Sequence, residues 1–478
     1  MKKGFEIMSE LAIRTGKLSF KEKASYGIGI FSDSIPFNII CLYFLYYMTD
    51  VAGINPALAG TISLIAITWD AITDPIVGYL SDNWKSKNGR RRPFMIVGAI
   101  PEYLVLMLIF APFTFSGNSG FAYYLIVAIL FWTAYKTYVI PYTALGAEIT
   151  QDFNERNSLR SYCGIFIYIA VWIASAGPMA IMDRVFAYGG TEKMSWSISA
   201  AIFGAVGLIG ALTCWRFTRG KELIENNEER IKTNLYKNFV ELYKIKPFRM
   251  IFFATLFFCI NFSIASAAFV YLMSNNLGLD AGVQATYWTL NTVISLIYVP
   301  VITFVANRIG KKYAFICFFL IGIIGSLTFA VIGINDFSSL IIFTIVWNAA
   351  NICFWTTGFS MIYDCCEADE LINGERREGA ISGFTSFAQK FGSAFGLWLS
   401  GVILSFTGYN GEVIEQTESA LKGINLLNTL VPAIFMLIAL AFIIRYPLNA
   451  KNFEALIKAL ELKREGKEYS TEGFEKLV

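Results

Sequence analysis

Histidine is missing from this 478-residue chain, and charged residues are scarce. The lack of imidazole removes the commonest metal ligand, the usual proton relay, and any Ser-His or Cys-His nucleophile pair. The eight cysteines are scattered, and the adjacent pair Cys365 and Cys366 lacks the spacing of a metal site. No nucleophile–base set and no phosphate loop is found either. An enzyme is therefore not expected, and no cofactor is predicted.

Apolar residues make up 55% of the chain, with 42 Phe and 24 Tyr, while charged residues make up 16%. A soluble protein carries about 25% charged residues, so the composition indicates a polytopic membrane protein. The net charge of +3 gives no reason to expect a nucleic-acid partner. Apolar runs of about 20 residues or more predict an all-α fold of twelve transmembrane helices. The predicted spans are 25–49, 58–82, 93–116, 120–146, 158–183, 195–218, 248–275, 283–307, 312–333, 337–362, 379–407 and 424–446.

The longest charged interruption divides these spans into six and six. The predicted divisions are an N-terminal tail (1–24), a first six-helix half (25–218), a central loop (219–247), a second six-helix half (248–446) and an amphipathic tail (447–478). Most of the 39 Lys and Arg residues lie in the two tails and the even-numbered connections. The positive-inside rule then places both termini in the cytoplasm. We expect a monomer in the inner (cytoplasmic) membrane, with the C-terminal tail either on the bilayer surface or packed on the bundle.

Two short connections share a glycine followed by basic residues, which suggests an internal repeat. The first contains Gly89 and Arg90–Arg92, and the second contains Gly310, Lys311 and Lys312. The first loop resembles that of the major facilitator superfamily. An aspartate at a helix end and three arginines can form charge pairs that hold one conformation and release in another. Asp82, Arg90, Arg91 and Arg92 are therefore predicted to form a gate.

Asp70 and Asp74 lie one helical turn apart inside the second apolar span. A carboxylate at a helix centre costs roughly 2.5–3.5 kcal/mol on an insertion scale, so a pair on one helix face calls for a functional reason. Carboxylate oxygens suit Na⁺, and a close pair can instead take H⁺. Thr73 adds a hydroxyl. These three residues are the predicted cation site, with H⁺ or Na⁺ as the coupling ion.

Two lysines inside apolar spans are predicted to act as charge switches. Lys390 belongs to the eleventh span and would reach the carboxylates only when the two halves are packed together. Lys136 belongs to the fourth span. If its ammonium reaches Asp70 and Asp74, it neutralises charge without a metal ion, and H⁺ coupling or weak Na⁺ dependence is expected. Two alternatives stay open, namely that Lys136 snorkels or that it pairs with a carboxylate of the ligand.

The predicted substrate site combines hydrogen-bonding groups with flat apolar rings. Asp33 and Arg160 can hydrogen-bond to hydroxyl-rich ligands. The further candidates are Trp69, Tyr135, Tyr142, Trp355 and Ser386.

Three segments, 69–78, 141–156 and 389–395, resemble the glycoside–pentoside–hexuronide:cation symporter family of the major facilitator superfamily. The resemblance implies a cation role for Asp70 and Asp74, and a role for Lys390 as the family's lysine of helix XI. It also implies sugar binding near Asp33 and Trp355. The acidic residues that resemble the family's gate after helix X are Asp364, Glu367 and Glu370.

The departures from the family pattern concern the cation and the sugar. Thr73 replaces an asparagine of the melibiose carrier's cation site. Val139 and Thr143 replace an aspartate and a tryptophan that the carrier uses for sugar, and Lys136 is an added charge. The leading interpretation is cation-coupled symport of a glycoside, oligosaccharide, pentoside or hexuronide by alternating access. The alternatives are a same-fold carrier of a lysolipid or drug, and a sugar sensor that does not transport.

Overall fold

The computed structural model describes residues 18–84, 86, 89–113, 115, 117–150, 153–220, 235–374, 377–413, 415–468 and 470, and within them the chain forms helices and no strand. In chain order the first helices are α1 (Phe20–Ile28), α2 (Ile30–Tyr46), α3 (Pro56–Asn83), α4 (Arg92–Ile109), α5 (Gly117–Ile149), α6 (Phe153–Ala187), α7 (Glu192–Phe217) and α8 (Leu235–Lys244). They are followed by α9 (Lys246–Tyr271), α10 (Ala281–Ile309), α11 (Lys311–Ile332), α12 (Phe337–Cys353), α13 (Phe359–Asn373), α14 (Glu378–Phe406), α15 (Glu418–Asn428), α16 (Leu430–Ile444) and α17 (Ala450–Arg464).

Eleven helical stretches of the described chain are long and apolar enough to cross a membrane. They match the predicted spans except the eleventh, which corresponds to α14. That helix has 29 residues, which is long enough, but it carries Gln389 and Lys390 among many Gly and Ser. α14 thus differs from the eleven apolar stretches in its polar residues and not in its length. The chain is an all-α, multi-pass membrane protein.

Helix starts follow local capping rules. Ser19 forms a capping box with Glu22 at α1, and Thr191 caps α7 through the backbone N–H of Met194. At α12 the carboxylate of Asp336 accepts from the backbone N–H of Ser339. This hydrogen bond holds the pKa of the Asp336 carboxyl below its ordinary value.

The ends of the first and seventh spans share one backbone design, which supports the internal repeat. A π-helical segment, Tyr47–Val51, follows α2, and another, Leu272–Asn276, follows α9. Each is closed by the same two backbone hydrogen bonds, spaced identically, and each runs into a glycine with positive φ, Gly53 and Gly278. Positive φ favours glycine because it carries no Cβ.

Helix packing repeats in the same way in each set of six. In the first set, α2 packs on α6 and α7, and α4 packs on α5 and α7. The corresponding helices of the second set do likewise, with α9 on α14 and α16, and α11 on α12 and α16. The predicted repeat is therefore visible both in backbone and in packing.

The chain forms two compact units. They differ from the predicted halves because residues 55–67 belong to the second unit and residues 280–288 to the first. The first contains the described residues of 1–54, 68–229 and 280–288, and the second those of 55–67, 230–279 and 289–478. The predicted domain limits stay predictions. The described part of the C-terminal tail forms α17, which packs on α13 and buries Leu456 and Leu460. This contact favours the packed alternative for the tail.

Close packing of α9 on α14 depends on glycine. A Cβ at Gly392 would lie 2.6 Å from the backbone oxygen of Leu256, and one at Gly396 would lie 2.7 Å from that of Ile260. Two small residues four positions apart let the helix backbones approach closely, as is common between membrane helices.

Gly392→Ala is expected to destabilise the protein by about 1–3 kcal/mol, because the added methyl group meets backbone rather than a movable side chain. Thermal unfolding of purified protein in detergent measures the effect. Gly383→Ala on the same helix is the matched control, since a Cβ there has no atom within 4 Å. The control should keep or slightly raise the unfolding temperature, as Ala is the better helix former. Equal behaviour of the two variants would contradict the packing argument.

Candidate functional site

One turn of α5, residues 133–136, holds predicted site residues from two other helices. Thr133 contacts Trp69 of α3, Tyr135 contacts Asp33 of α2, and Lys136 contacts Asp70 and Asp74 of α3. Residues i and i+3 lie on the same face of a helix, which explains why Thr133 and Lys136 both reach α3. Tyr135 lies about 100° away from Lys136 around the helix axis and reaches α2 instead.

The Lys136 ammonium lies between the two carboxylates of α3. Its Nζ is 3.4 Å from Oδ1 of Asp70 and 3.5 Å from Oδ1 of Asp74. Asp70 is only 2% exposed, whereas Asp74 is half-buried. Nζ also lies 4.9 Å from the centre of the Tyr135 ring, a cation–π distance. Lys136 therefore reaches both helix carboxylates, which is the condition on which the sequence-based expectation of H⁺ coupling depended.

Thr73 lies between the two aspartates along α3 and is buried. Its hydroxyl donates to the backbone oxygen of Asp70 at 3.0 Å. The hydroxyl proton is thus used inside the helix, and the oxygen can still accept or coordinate through its lone pairs.

Asp33 is held by a short hydrogen bond from α5. The Tyr135 hydroxyl donates to Oδ1 of Asp33 at 2.6 Å, within the range of charge-assisted bonds. Asp33 is half-buried and Tyr135 is buried. The tyrosine fixes one carboxylate oxygen in place. Within the described residues, the other oxygen, Oδ2, has a long contact with Ser34 Oγ at 3.5 Å.

Flat rings lie beside these carboxylates. Trp69 is 39% exposed, and its Nε1 donates to Thr133 Oγ1 at 2.9 Å. Phe37 is also exposed and stacks on Tyr135, with ring centres 6.0 Å apart. A tryptophan fixed by its indole N–H and open on its face is suited to stacking on the apolar face of a sugar ring.

Two other predicted substrate residues of this unit lie in different surroundings. Tyr142 belongs to a buried core cluster, where it stacks on Tyr26 and Tyr138 and donates to the backbone oxygen of Tyr26. Its ring thus packs on protein. Arg160 is exposed on α6.

The predicted residues of the second unit are described by themselves. Trp355 lies in the π-helical segment Phe354–Gly358, is partly exposed, and donates from Nε1 to Asn351 Oδ1 at 3.1 Å. Its ring stacks on Phe359. Ser386 is exposed and Lys390 half-buried, both on α14. Their roles toward substrate and cation stay predictions.

The predicted gate arginines are anchored to the ends of α5 and α7. Arg90 Nη2 and Arg91 Nε contact the same oxygen of Glu148, at 2.5 and 2.6 Å. Arg92 Nη2 donates to the backbone oxygen of Trp215 at 2.6 Å and lies over its ring. Asp82 belongs to α3 by its backbone, and its side chain lies outside the described part of the chain.

A corresponding ion pair is found in the second unit. Lys311 Nζ contacts both carboxylate oxygens of Asp364, at 2.6 and 2.9 Å. Glu370 binds Arg464 of α17 through two hydrogen bonds of 2.7 and 2.6 Å. Glu367 is half-buried on α13. In each unit a basic loop thus forms an ion pair with an acid of a later helix. Asp364 was among the predicted gate residues, whereas Glu148 was not, and the gate role stays a prediction.

Two buried carboxylates escaped the sequence reasoning. Asp369 is fully buried and accepts from Arg377 Nη2 at 2.6 Å, and Arg377 also pairs with Glu241 of α8. The hydrogen bonds to Asp369 raise the pKa of Arg377 above its ordinary value. Glu102 of α4 is 1% exposed and accepts from the Ser32 hydroxyl at 3.2 Å. A glutamate inside the apolar span 93–116 was the signal that could have found it.

No cluster of three or more Cys, Asp or Glu side chains that could hold a metal ion occurs in the described ranges. In the sequence the aspartate pair of α3 is the candidate cation site, and in the structure an ammonium lies beside both of its members.

A family model described as MFS/sugar transport protein matches residues 25–450. The chain belongs to this family. It is therefore a membrane transporter of the major facilitator superfamily and not an enzyme, as predicted.

Curated relatives match over nearly their whole length. An uncharacterized symporter of Bacillus subtilis, YjmB, is 29% identical over 455 residues, covering 94% of this chain and 96% of its own. A glucuronide carrier protein homolog of Escherichia coli is 27% identical, covering 93% and 96%. A putative glycoside/cation symporter of the same species, YagG, is 26% identical, covering 93% and 95%.

Solved structures support the fold alone. A bacterial homolog of the human lysosomal transporter Spinster, in an inward-facing conformation, has a TM-score of 0.67 at 13% identity, covering 90% of this chain and 98% of its own. The nucleoside transporter NupG has a TM-score of 0.65 at 15% identity, covering 89% and 99%. The predicted major facilitator fold is confirmed.

Glu148→Gln is expected to destabilise the first unit by roughly 3 kcal/mol, because two guanidinium groups lose a buried carboxylate that they share. Thermal unfolding in detergent measures the change. The double variant Arg91→Gln/Glu148→Gln should recover part of the loss, since one of the stranded charges is removed with its partner.

The matched control is Glu418→Gln, which breaks the exposed pair of Glu418 with Lys422 and should leave the unfolding temperature unchanged. An unfolding temperature of Glu148→Gln equal to that of the unmodified protein would show that the cluster contributes no stability.

Proposed function

We propose that this transporter is a proton-coupled symporter of glycosides, hexuronides or related sugars in the inner membrane, working by alternating access. The observation that carries the proposal is the position of Lys136 Nζ, 3.4 and 3.5 Å from the two carboxylates of α3. An ammonium there supplies the positive charge that a bound Na⁺ would otherwise supply. A proton can then be the ion that changes the charge of the site, while sodium competes with a cation fixed by the chain.

The charge balance explains how a proton alters the site. Two carboxylates and one ammonium leave one negative charge in a region where Asp70 is almost fully buried. Adding one proton to either carboxylate makes the cluster neutral, which is the less costly state inside a membrane. Coupling follows if the protonated cluster is the form that binds sugar and changes conformation. This scheme needs no metal ion.

Sugar recognition is assigned to the surface next to the cluster. Asp33 can accept hydrogen bonds from sugar hydroxyls, because Tyr135 fixes one of its oxygens and so orients the carboxylate. Trp69 offers an exposed ring whose indole N–H is already satisfied by Thr133. Both are anchored on the turn of α5 that also carries Lys136, so substrate and proton would act on one rigid element. The names of the relatives, a glucuronide carrier homolog and a putative glycoside/cation symporter, point to the same substrate class.

The ion pairs at the helix ends are proposed to serve as conformational locks. Arg90 and Arg91 with Glu148, and Lys311 with Asp364, occupy corresponding places in the repeat. Charge pairs of this kind can form in one state and separate in another. Their proposed location at the cytoplasmic side, with both termini cytoplasmic, follows from the distribution of Lys and Arg.

Reconstituted vesicles test the coupling ion. A panel of radiolabelled uncharged glycosides and glucuronides is offered in sodium-free buffer, with and without an inward proton gradient. We expect at least one sugar to accumulate with the proton gradient alone. Lys136→Gln should lose this accumulation at least tenfold and gain stimulation by Na⁺, because the two carboxylates then lack their fixed cation.

Lys422→Gln removes an exposed lysine and serves as the matched control, with uptake expected at the level of the unmodified protein. Absolute dependence of the unmodified protein on Na⁺ would refute proton coupling. Failure of every sugar in the panel to be taken up would refute the substrate class.

Asp33→Asn is expected to weaken binding of the transported sugar about ten- to a hundredfold, because hydrogen bonds to a charged acceptor contribute about 1.5–3 kcal/mol. Binding to purified protein is measured by calorimetry with the sugar found in the uptake panel. Tyr135→Phe keeps the carboxylate and removes only the hydroxyl that orients it, so a smaller loss is expected. Unchanged affinity in Asp33→Asn would remove Asp33 from the substrate site.

A further inference from the structure

Glu102 is a buried acid that the proposed coupling scheme leaves unused. It lies in the middle of α4 and is 1% exposed. Its Oε2 accepts from the Ser32 hydroxyl at 3.2 Å, and its Oε1 has no hydrogen-bond partner within the part of the chain that the structure describes. None of the ion pairs of the described residues involves it. An anionic carboxylate with a single hydroxyl donor is costly in such a place.

Among the described residues, the groups that act on Glu102 supply no positive charge. α2 presents Ser32 and the neighbouring Asp33, and α5 presents the tyrosines Tyr135 and Tyr138. α7 packs on α4 as well, and between Met194 and Trp215 it contains no Asp, Glu, Lys, Arg or His, its one titratable side chain being Cys214. The charged group that acts on Glu102 is another acid, Asp33, and it disfavours a second negative charge.

The hydroxyl partner fits either charge state of the acid. A serine oxygen can donate to a carboxylate or accept from a carboxylic acid. Ser32 can thus stay hydrogen-bonded to Glu102 whether or not the proton is present. An arginine or lysine in the same place would stabilise only the anion.

Glu102 also stands at one end of a polar series across four helices. From Glu102 the series runs to Ser32 and its neighbour Asp33, then to Tyr135 through the 2.6 Å hydrogen bond. It continues to Lys136, whose ammonium lies against the Tyr135 ring and reaches Asp70 and Asp74. A change of charge at Glu102 therefore acts electrostatically on Asp33 first, and Asp33 is the carboxylate assigned to the substrate.

We propose that Glu102 is a second proton-binding site, separate from the aspartate pair of α3, which takes up and releases a proton and so sets the negative charge beside Asp33. In each cycle the O–H bond of the Glu102 carboxylic acid breaks, the proton leaves to water, and a carboxylate bonded to Ser32 remains. The reverse step restores the acid. This deepens the proposed proton coupling and rests on it for its role in transport, while the protonation itself can be tested without a substrate.

Infrared difference spectroscopy of the purified, lipid-reconstituted protein tests the proposal, with buffer pH as the only variable and with neither sugar nor sodium added. The unmodified protein should show the carbonyl band of a protonated carboxyl in acidic buffer and its loss in alkaline buffer. Glu102→Gln should lose one component of this pH-dependent band, while the component from the aspartate pair of α3 should remain. Glu102→Asp keeps a carboxyl and should restore a pH-dependent band at a shifted frequency. Asp183→Asn changes an exposed carboxylate and is the matched control, expected to keep the band unchanged.

Three results would overturn the proposal: no such band in the unmodified protein, a spectrum of Glu102→Gln that matches the unmodified protein in every component of the band, or a Glu102 component that does not respond to pH. The last result would make Glu102 a permanently neutral structural acid. Size exclusion and thermal unfolding establish that each variant is folded. If Glu102→Gln does not fold, the spectrum of Glu102→Asp tests the proposal instead. Since the spectra need no transport, failure of every sugar in the uptake panel would leave this result standing, and success there would not rescue it.

Discussion

A charged side chain inside a membrane-spanning helix needs an opposite charge or hydrogen-bond partners from the protein, because lipid supplies neither. In this transporter the need is met by one turn of α5. Lys136 is placed between two aspartates of α3, and Tyr135 binds the aspartate of α2. Three helices are thereby tied together by the same groups that would carry the proton and the sugar. Removing the ammonium would alter stability and chemistry together.

The same requirement shapes the charged helix ends. In each unit a basic residue at the start of one helix reaches an acid on a later one, Arg91 to Glu148 and Lys311 to Asp364. The repetition extends to the π-helical segments that end α2 and α9. The two units thus agree in backbone geometry and in the placement of charged residues, although the side chains of their cores differ.

The sequence was sufficient to predict the helices, because runs of apolar residues and basic loops are direct consequences of the bilayer. It also identified the aspartate pair, since two acids in an apolar run stand out. Tyr142 shows the limit: an aromatic ring in a helix packs on protein or on ligand equally well, and only its stack with Tyr26 and Tyr138 tells which surroundings it has. Glu102 is paired with Ser32 on another helix, whose rotation the sequence does not define. The partner of Asp369, Arg377, lies in the short connection before α14, where the path of the backbone rather than a periodic pattern sets the contact.

The docking of α17 has a consequence for the order in which the protein can mature during synthesis. The partners described for Arg90, Arg91 and Arg92 are Glu148 and Trp215, so the first unit can form these contacts while translation continues. The second unit cannot, because Glu370 binds Arg464 and the carbonyl groups at the end of α13 bind Lys463, and both basic residues belong to α17. A nascent chain therefore holds the acidic end of α13 without these partners until α17 leaves the ribosome.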